Sequence, residues 1–66
     1  MRLVAYIRDA HGTETFEEWE YTGDLTESYL DDQISSRSAL TISVYDDMYI
    51  EGQPQHHLFT YDPNAN

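Results

Sequence analysis

The sequence predicts a small α+β fold: an antiparallel sheet in the order β-β-α-β-β with one helix packed on one face, and a fifth edge strand available at the end. Three observations predict it. Apolar residues alternate with period two over 3–7 and again over 40–44, turn chemistry follows the first run, and a single stretch, 25–35, carries apolar residues at helical spacing. The chain reads as one domain over residues 1–61, followed by a flexible tail at 62–66.

The first strand is Leu3, Ala5 and Ile7 alternating with Arg2, Val4, Tyr6 and Arg8, which buries one face. Asp9-Ala10-His11-Gly12 supplies a turn, with Asp to start it and Gly to accept a positive φ. A second strand follows over about Thr13 to Tyr21. Phe16 stands three residues before Trp19, so the period slips once. A bulge at Glu17-Glu18 would place Phe16, Trp19 and Tyr21 together on the core face and push both carboxylates outward.

Thr22-Gly23-Asp24 breaks the strand, and Asp24 or Thr26 offers an oxygen to cap a helix over about Leu25 to Ser35. On the helical wheel Leu25, Tyr29, Leu30 and Ile34 share one half, while Asp24, Glu27 and Asp31 fall within about 60° on the other. Leu40, Ile42 and Val44 alternate as the third strand. Asp46-Asp47 reads as a tight turn, Met48 to Glu51 as a short return strand, and Gly52 to Gln55 as punctuation; His56 to Tyr61 is the extra edge strand. The expected core is Leu3, Ala5, Ile7, Phe16, Trp19, Tyr21, Leu25, Leu30, Ile34, Leu40, Ile42, Val44 and Ile50.

Charge is the most informative feature for function. The 66 residues hold 13 acids, three arginines and no lysine, for a formal net charge of −10. Eight of the acids lie between Glu14 and Asp32, interleaved with aromatic and aliphatic residues, and no cation falls among them. The aromatic content argues for folded chain with a negative outer surface rather than an acidic disordered tail. Such a field repels nucleic acid and anionic membrane and attracts basic surfaces, above all clefts built for phosphate. The absence of cysteine and of any apolar run of the roughly 20 residues that span a bilayer leads to the expectation of a cytoplasmic protein. A homodimer interface is one way for a chain this short to add buried area.

Chemical motifs are sparse. His56 and His57 are adjacent, so in a strand their rings face opposite ways, and Asp31-Asp32 and Asp46-Asp47 lack the spacing of a calcium loop. No nucleophile–histidine–carboxylate order or nucleophile elbow is recognisable, which argues against an enzyme, a metal site or a cofactor. Tyr6, Tyr45, Tyr49 and Tyr61 could stack bases, but a stacking platform needs positive charge nearby. What remains is a row of fixed carboxylates. Glu18 and Glu20, about 6.7 Å apart on a strand, are continued by Asp24, Glu27 and Asp31, at a spacing of the order of neighbouring phosphates.

This layout resembles the small acidic inhibitors made by phages, which imitate DNA and block host uracil-DNA glycosylases, restriction enzymes and CRISPR effectors. The likeness is to the shortest phage uracil-DNA glycosylase inhibitors, over about Leu3 to Asp46: Asp9-Ala10-His11-Gly12 at the hairpin, Glu20-Tyr21 before Gly23, and an aromatic, Tyr29, in the helix. The resemblance implies a dimer in which Tyr29 helps form an apolar groove for a protruding leucine of the glycosylase, flanked by Glu27 or Asp31. Leu30 stands where that class has a carboxylate, Gln33 stands where a second aromatic would help, and the segment after Asp47 has no counterpart.

The expected function is therefore non-enzymatic inhibition: mimicry of DNA phosphate by Glu17, Glu18, Glu20, Asp24, Glu27, Asp31 and Asp32, with Tyr29 among them, against the basic DNA-binding cleft of a host protein. No direct binding of nucleic acid or membrane is expected. The alternative is a small structural or protein-interaction domain whose acidity serves solubility and whose tyrosine-rich sheet edge (Tyr45, Tyr49, Tyr61) pairs with itself or another chain.

Overall fold

The computed structural model describes residues 1–64. Strands β1 (Arg2–Asp9), β2 (Glu14–Glu20), β3 (Ala39–Asp46) and β6 (His57–Tyr61) form an antiparallel sheet in the order β2-β1-β3-β6. Helix α1 (Glu27–Ser36) connects β2 to β3 and packs on one face. A separate two-stranded hairpin, β4 (Tyr49–Ile50) with β5 (Gln53–Pro54), interrupts the path from β3 to β6. The α+β class and the strand–strand–helix–strand order thus follow the sequence expectation.

The fourth strand of the main sheet is β6, in the place expected for the segment beginning at Met48. Asp46 arranges this detour. Its Oδ1 accepts the Met48 N–H at 3.0 Å, and its own N–H donates to the His56 carbonyl at 3.1 Å, so 48–55 leaves and returns at one point. Glu51 and Gly52 both take positive φ (55° and 80°) at the hairpin tip, the combination a primed two-residue turn requires.

The first turn is built as its residues dictate. Asp9 Oδ1 accepts the N–H groups of His11 and Thr13 at 2.9 and 3.0 Å, and Gly12 closes the loop at φ 81°. Of the two candidate helix caps, Thr26 does the work: its Oγ1 accepts the Tyr29 N–H at 3.1 Å. At the other end Ser38 adopts φ 52° between helix and β3.

Between sheet and helix, Leu3, Ala5, Ile7, Leu30, Ile34, Ile42 and Val44 are buried together, with Trp19, Tyr21, Leu25, Tyr29, Leu58, Phe59 and Tyr61 packed around them. Three expected core residues lie elsewhere. Strand β2 pairs with β1 without a bulge, so Phe16 keeps the parity of Glu18 and Glu20 and faces away from the helix, 42% exposed, against Tyr6 with ring centroids 5.1 Å apart. The irregularities fall instead at Arg8/Asp9 on β1 and opposite Leu58 on β6. Leu40 shares the parity of Ile42 and Val44 but falls at the register shift opposite Arg8 and Asp9, and is 41% exposed; Ile50, on the small hairpin, is 58% exposed.

Val4, expected outside, is fully buried. It lies between Glu18 and Tyr45 in the register, on the face away from the helix, and Tyr49 brings the small hairpin across this position by bonding to Glu18. Along the same face Phe16, Tyr6, Tyr45 and His57 form a row across all four strands, with successive centroids 5.1, 5.8 and 5.2 Å apart. In the expected tail, Asp62 Oδ1 accepts the Asn64 N–H at 3.0 Å; residues 65 and 66 lie outside the described residues.

Candidate functional site

The acidic stretch divides into two parts with different electrostatic fates. On β2 every glutamate meets an arginine. Arg2 donates to Glu18 at 3.0 Å and lies 3.8 Å from Glu20; Arg8 reaches Glu14 at 3.4 Å; Arg37 grips both oxygens of Glu17 at 2.9 and 3.2 Å. Without a bulge, Glu17 shares the helix-side face with Trp19, so it does not point outward beside Glu18 as expected. The hydrogen bond from Arg2, then that from the Tyr49 hydroxyl, holds the Glu18 carboxyl below its ordinary range, and Glu18 raises the Arg2 guanidinium in return. The Glu18–Glu20 part of the row is thereby compensated from within the chain.

Arg37 also ties β2 to the helix. Its Nη1 donates to the Gln33 carbonyl at 2.9 Å and to Gln33 Oε1 at 3.0 Å, and its guanidinium carbon lies 5.4 Å from the centroid of the Trp19 ring. The Trp19 indole N–H donates to the Tyr29 hydroxyl at 2.8 Å. Tyr29 in turn stacks on Tyr21, with centroids 3.9 Å apart and planes within 12°. Tyr21 lies back across Gly23, where a Cβ would come 2.5 Å from the Tyr21 hydroxyl oxygen, and donates to the Asp24 carbonyl at 2.9 Å. Burial first, then Tyr29 and Asp24, pushes the Tyr21 phenol up. Tyr29 is therefore half-buried and held on both sides.

The other acids are placed differently. Asp24, Glu27, Asp31 and Asp32 are exposed, and among the described residues none of them forms an ion pair. Leu30 points into the core, so Tyr29 and Asp31, at 100° to either side, mark opposite flanks of the helix. Tyr29 meets β2 through Trp19. Asp31 overlies β6, where its Oδ1 accepts the Tyr61 hydroxyl at 3.3 Å. Glu27 shares the Asp31 flank on the same wheel, whereas Asp24 precedes the helix and lies beside Tyr21. Burial, then Asp31 and more weakly Glu27, pushes the Tyr61 phenol up.

The surface is open, with no pocket among the described residues, and no group of three or more His, Asp or Glu side chains converges there. No described helix is long and apolar enough to cross a membrane. The arrangement offers a partner charge and hydrogen-bond acceptors on an open surface. Sequence reasoning gathered the eight partner-binding candidates into one row; the structure separates them into a compensated strand (Glu17, Glu18, Glu20) and an uncompensated group on and just before the helix (Asp24, Glu27, Asp31, Asp32), with Tyr29 half-buried between. It missed Arg2 and Arg37, whose partners lie 16 and 20 residues away. The signal for Arg2 was its cross-strand position in the hairpin; for Arg37 there was none. No family model, curated protein or solved structure matches this chain.

Proposed function

We propose that this protein is a non-enzymatic inhibitor whose acidic helix occupies the basic nucleic-acid-binding cleft of another protein, in the manner of a DNA mimic. The observation that supports this reading is the segregation of charge. All three arginines are engaged with β2, which leaves nine of the thirteen acids; Glu27, Asp31 and Asp32 stand on the helix, and Asp24 just before it, without a cation. A cleft arranged for phosphates already presents cations at the spacing such a surface needs, and encounter is fast at low salt. A glycosylase, a nuclease or a CRISPR effector would present such a cleft, and phage origin would account for the need.

The test is charge reversal on the helix: Glu27→Lys, Asp31→Lys and Asp32→Lys together. Capture of a DNA-handling protein from bacterial lysate, released by salt and by excess duplex DNA, is expected for the parent and lost in the triple variant with circular dichroism unchanged. Capture that ignores salt and DNA and survives charge reversal refutes the reading. One observation favours a second reading, an apolar interaction module whose charge serves solubility: Phe16, Met48, Tyr49 and Ile50 are exposed. An apolar interface would hold or tighten as salt rises.

A further inference from the structure

The two edges of the sheet are protected very differently. Edge strand β2 carries four glutamates in seven residues, a common defence against pairing with another chain. Edge strand β6, His57-Leu58-Phe59-Thr60-Tyr61, carries no Asp, Glu, Lys, Arg or Pro, and among the described residues no strand pairs with it on the side away from β3. Its side chains are anchored: Leu58, Phe59 and Tyr61 pack on the core, while Thr60 bonds to Ser43 at 3.1 Å and to His57 at 2.6 Å. The strand is thus held rigid while its outer row of backbone groups stays open.

The helix decides what fits there. Asp31 overlies β6 through Tyr61, and Glu27 lies on the same flank, so two of the uncompensated acids run beside the open edge. Glu27 and Asp31 are one helical turn apart, about 6 Å along the axis, and alternate residues of a strand are about 6.7 Å apart. We propose that β6 accepts an extended segment of a partner protein as a fifth strand of the main sheet, with lysine or arginine at alternate positions facing Glu27 and Asp31. The backbone supplies the pairing and the acids supply the selection. A second copy of this chain is disfavoured, because antiparallel β6–β6 pairing would place two acidic helices on one face of the joined sheet. The choice of a basic strand rests on the proposed function, since both require the helix acids to meet cations; the pairing at β6 does not.

The probe is an end-capped eight-residue peptide alternating lysine and valine, added to the full chain and followed by amide hydrogen exchange. At a peptide concentration ten times its Kd, outward-pointing amides of His57–Tyr61 are expected to exchange about tenfold more slowly. The same peptide with a central proline should give no such protection. The Glu27→Gln/Asp31→Asn double variant should bind the alternating peptide roughly fivefold more weakly. Peptide binding that shifts helix amides but leaves β6 exchange unchanged overturns the edge assignment while leaving the acidic-cleft reading intact. Protection of β6 with full affinity in the double variant overturns the assignment of a basic partner. Protection of β6 that rises with protein concentration and needs no peptide identifies a second copy as the occupant and overturns the proposal.

Discussion

Arg37→Met should be the most damaging single change to a charged residue in this protein. Arg37 forms a two-pronged pair with Glu17, bonds to the Gln33 carbonyl near the helix C-terminus and lies over Trp19. The pair is neither deeply buried nor free in water, with side chains 25% and 38% exposed, so it contributes about 1 kcal/mol, the upper end for pairs near a surface. A cation at the last helical carbonyls adds about 0.5 kcal/mol and the contact with the indole about 0.5 kcal/mol. The loss is then about 2 kcal/mol, a large share of the stability of so short a chain and about 8–16 °C in Tm. Thermal melts of Arg37→Met, Glu17→Gln and the double variant test this, with an expected coupling of about 1 kcal/mol. Arg37→Lys should recover less than half, because an ammonium cannot reproduce the two-pronged geometry. A Tm within about 2 °C of the parent for Arg37→Met, or coupling below about 0.3 kcal/mol, refutes the reasoning.

Gly23→Ala should displace Tyr21 from Tyr29 and cost about 1 kcal/mol, read as a loss of near-ultraviolet circular dichroism with a lower Tm; an unchanged aromatic signal would contradict the close approach. Tyr29→Phe leaves the Trp19 indole N–H without its acceptor and should cost about 1 kcal/mol with a change in tryptophan emission, while the stacking on Tyr21 survives. Tyr21, Tyr49 and Tyr61 all have phenols raised above their usual 10.0, so the folded state holds their protons longer than the unfolded chain does. Their contribution is complete below about pH 10 and is lost as pH rises from there through the raised folded values. Phenolate absorbance should therefore show a late-titrating set that titrates earlier in denaturant, and a single ordinary titration in the folded state would contradict it.

The sequence discloses what is periodic and local, and conceals what depends on distant partners. Leu3, Ala5 and Ile7 against Ile42 and Val44, the Asp9–Gly12 turn and the Thr26 cap all follow from patterns a few residues long. Phe16 shows the risk of overruling such a pattern. An unbroken β2 places it with Glu18 and Glu20, whereas the wish to bury every aromatic called for a bulge. Phe16 finds Tyr6 across the sheet instead, on a second face that carries its own small apolar cluster around Val4. That cluster could not be foreseen, because Tyr49 reaches it from 31 residues beyond its partner Glu18. The acidic helix was legible as an amphipathic wheel. The neutralisation of β2 was not, since it required knowing where Arg37 comes to rest.

The pairing of all three arginines with glutamates of β2 has a consequence for how the molecule moves before it touches anything. Net charge alone would draw the protein toward a cation from any side. Here the unpaired negative charge lies away from β2, on the helix at one face of the sheet and on the small hairpin at the other, so an external field exerts a torque as well as a pull. The protein turns as it approaches, and the neutralised β2 edge trails. Moving one arginine, for example by Arg8→Ser with Asp32→Arg, keeps the net charge within one unit but flattens this asymmetry, and association with a polycationic surface should slow at low salt more than net charge alone predicts.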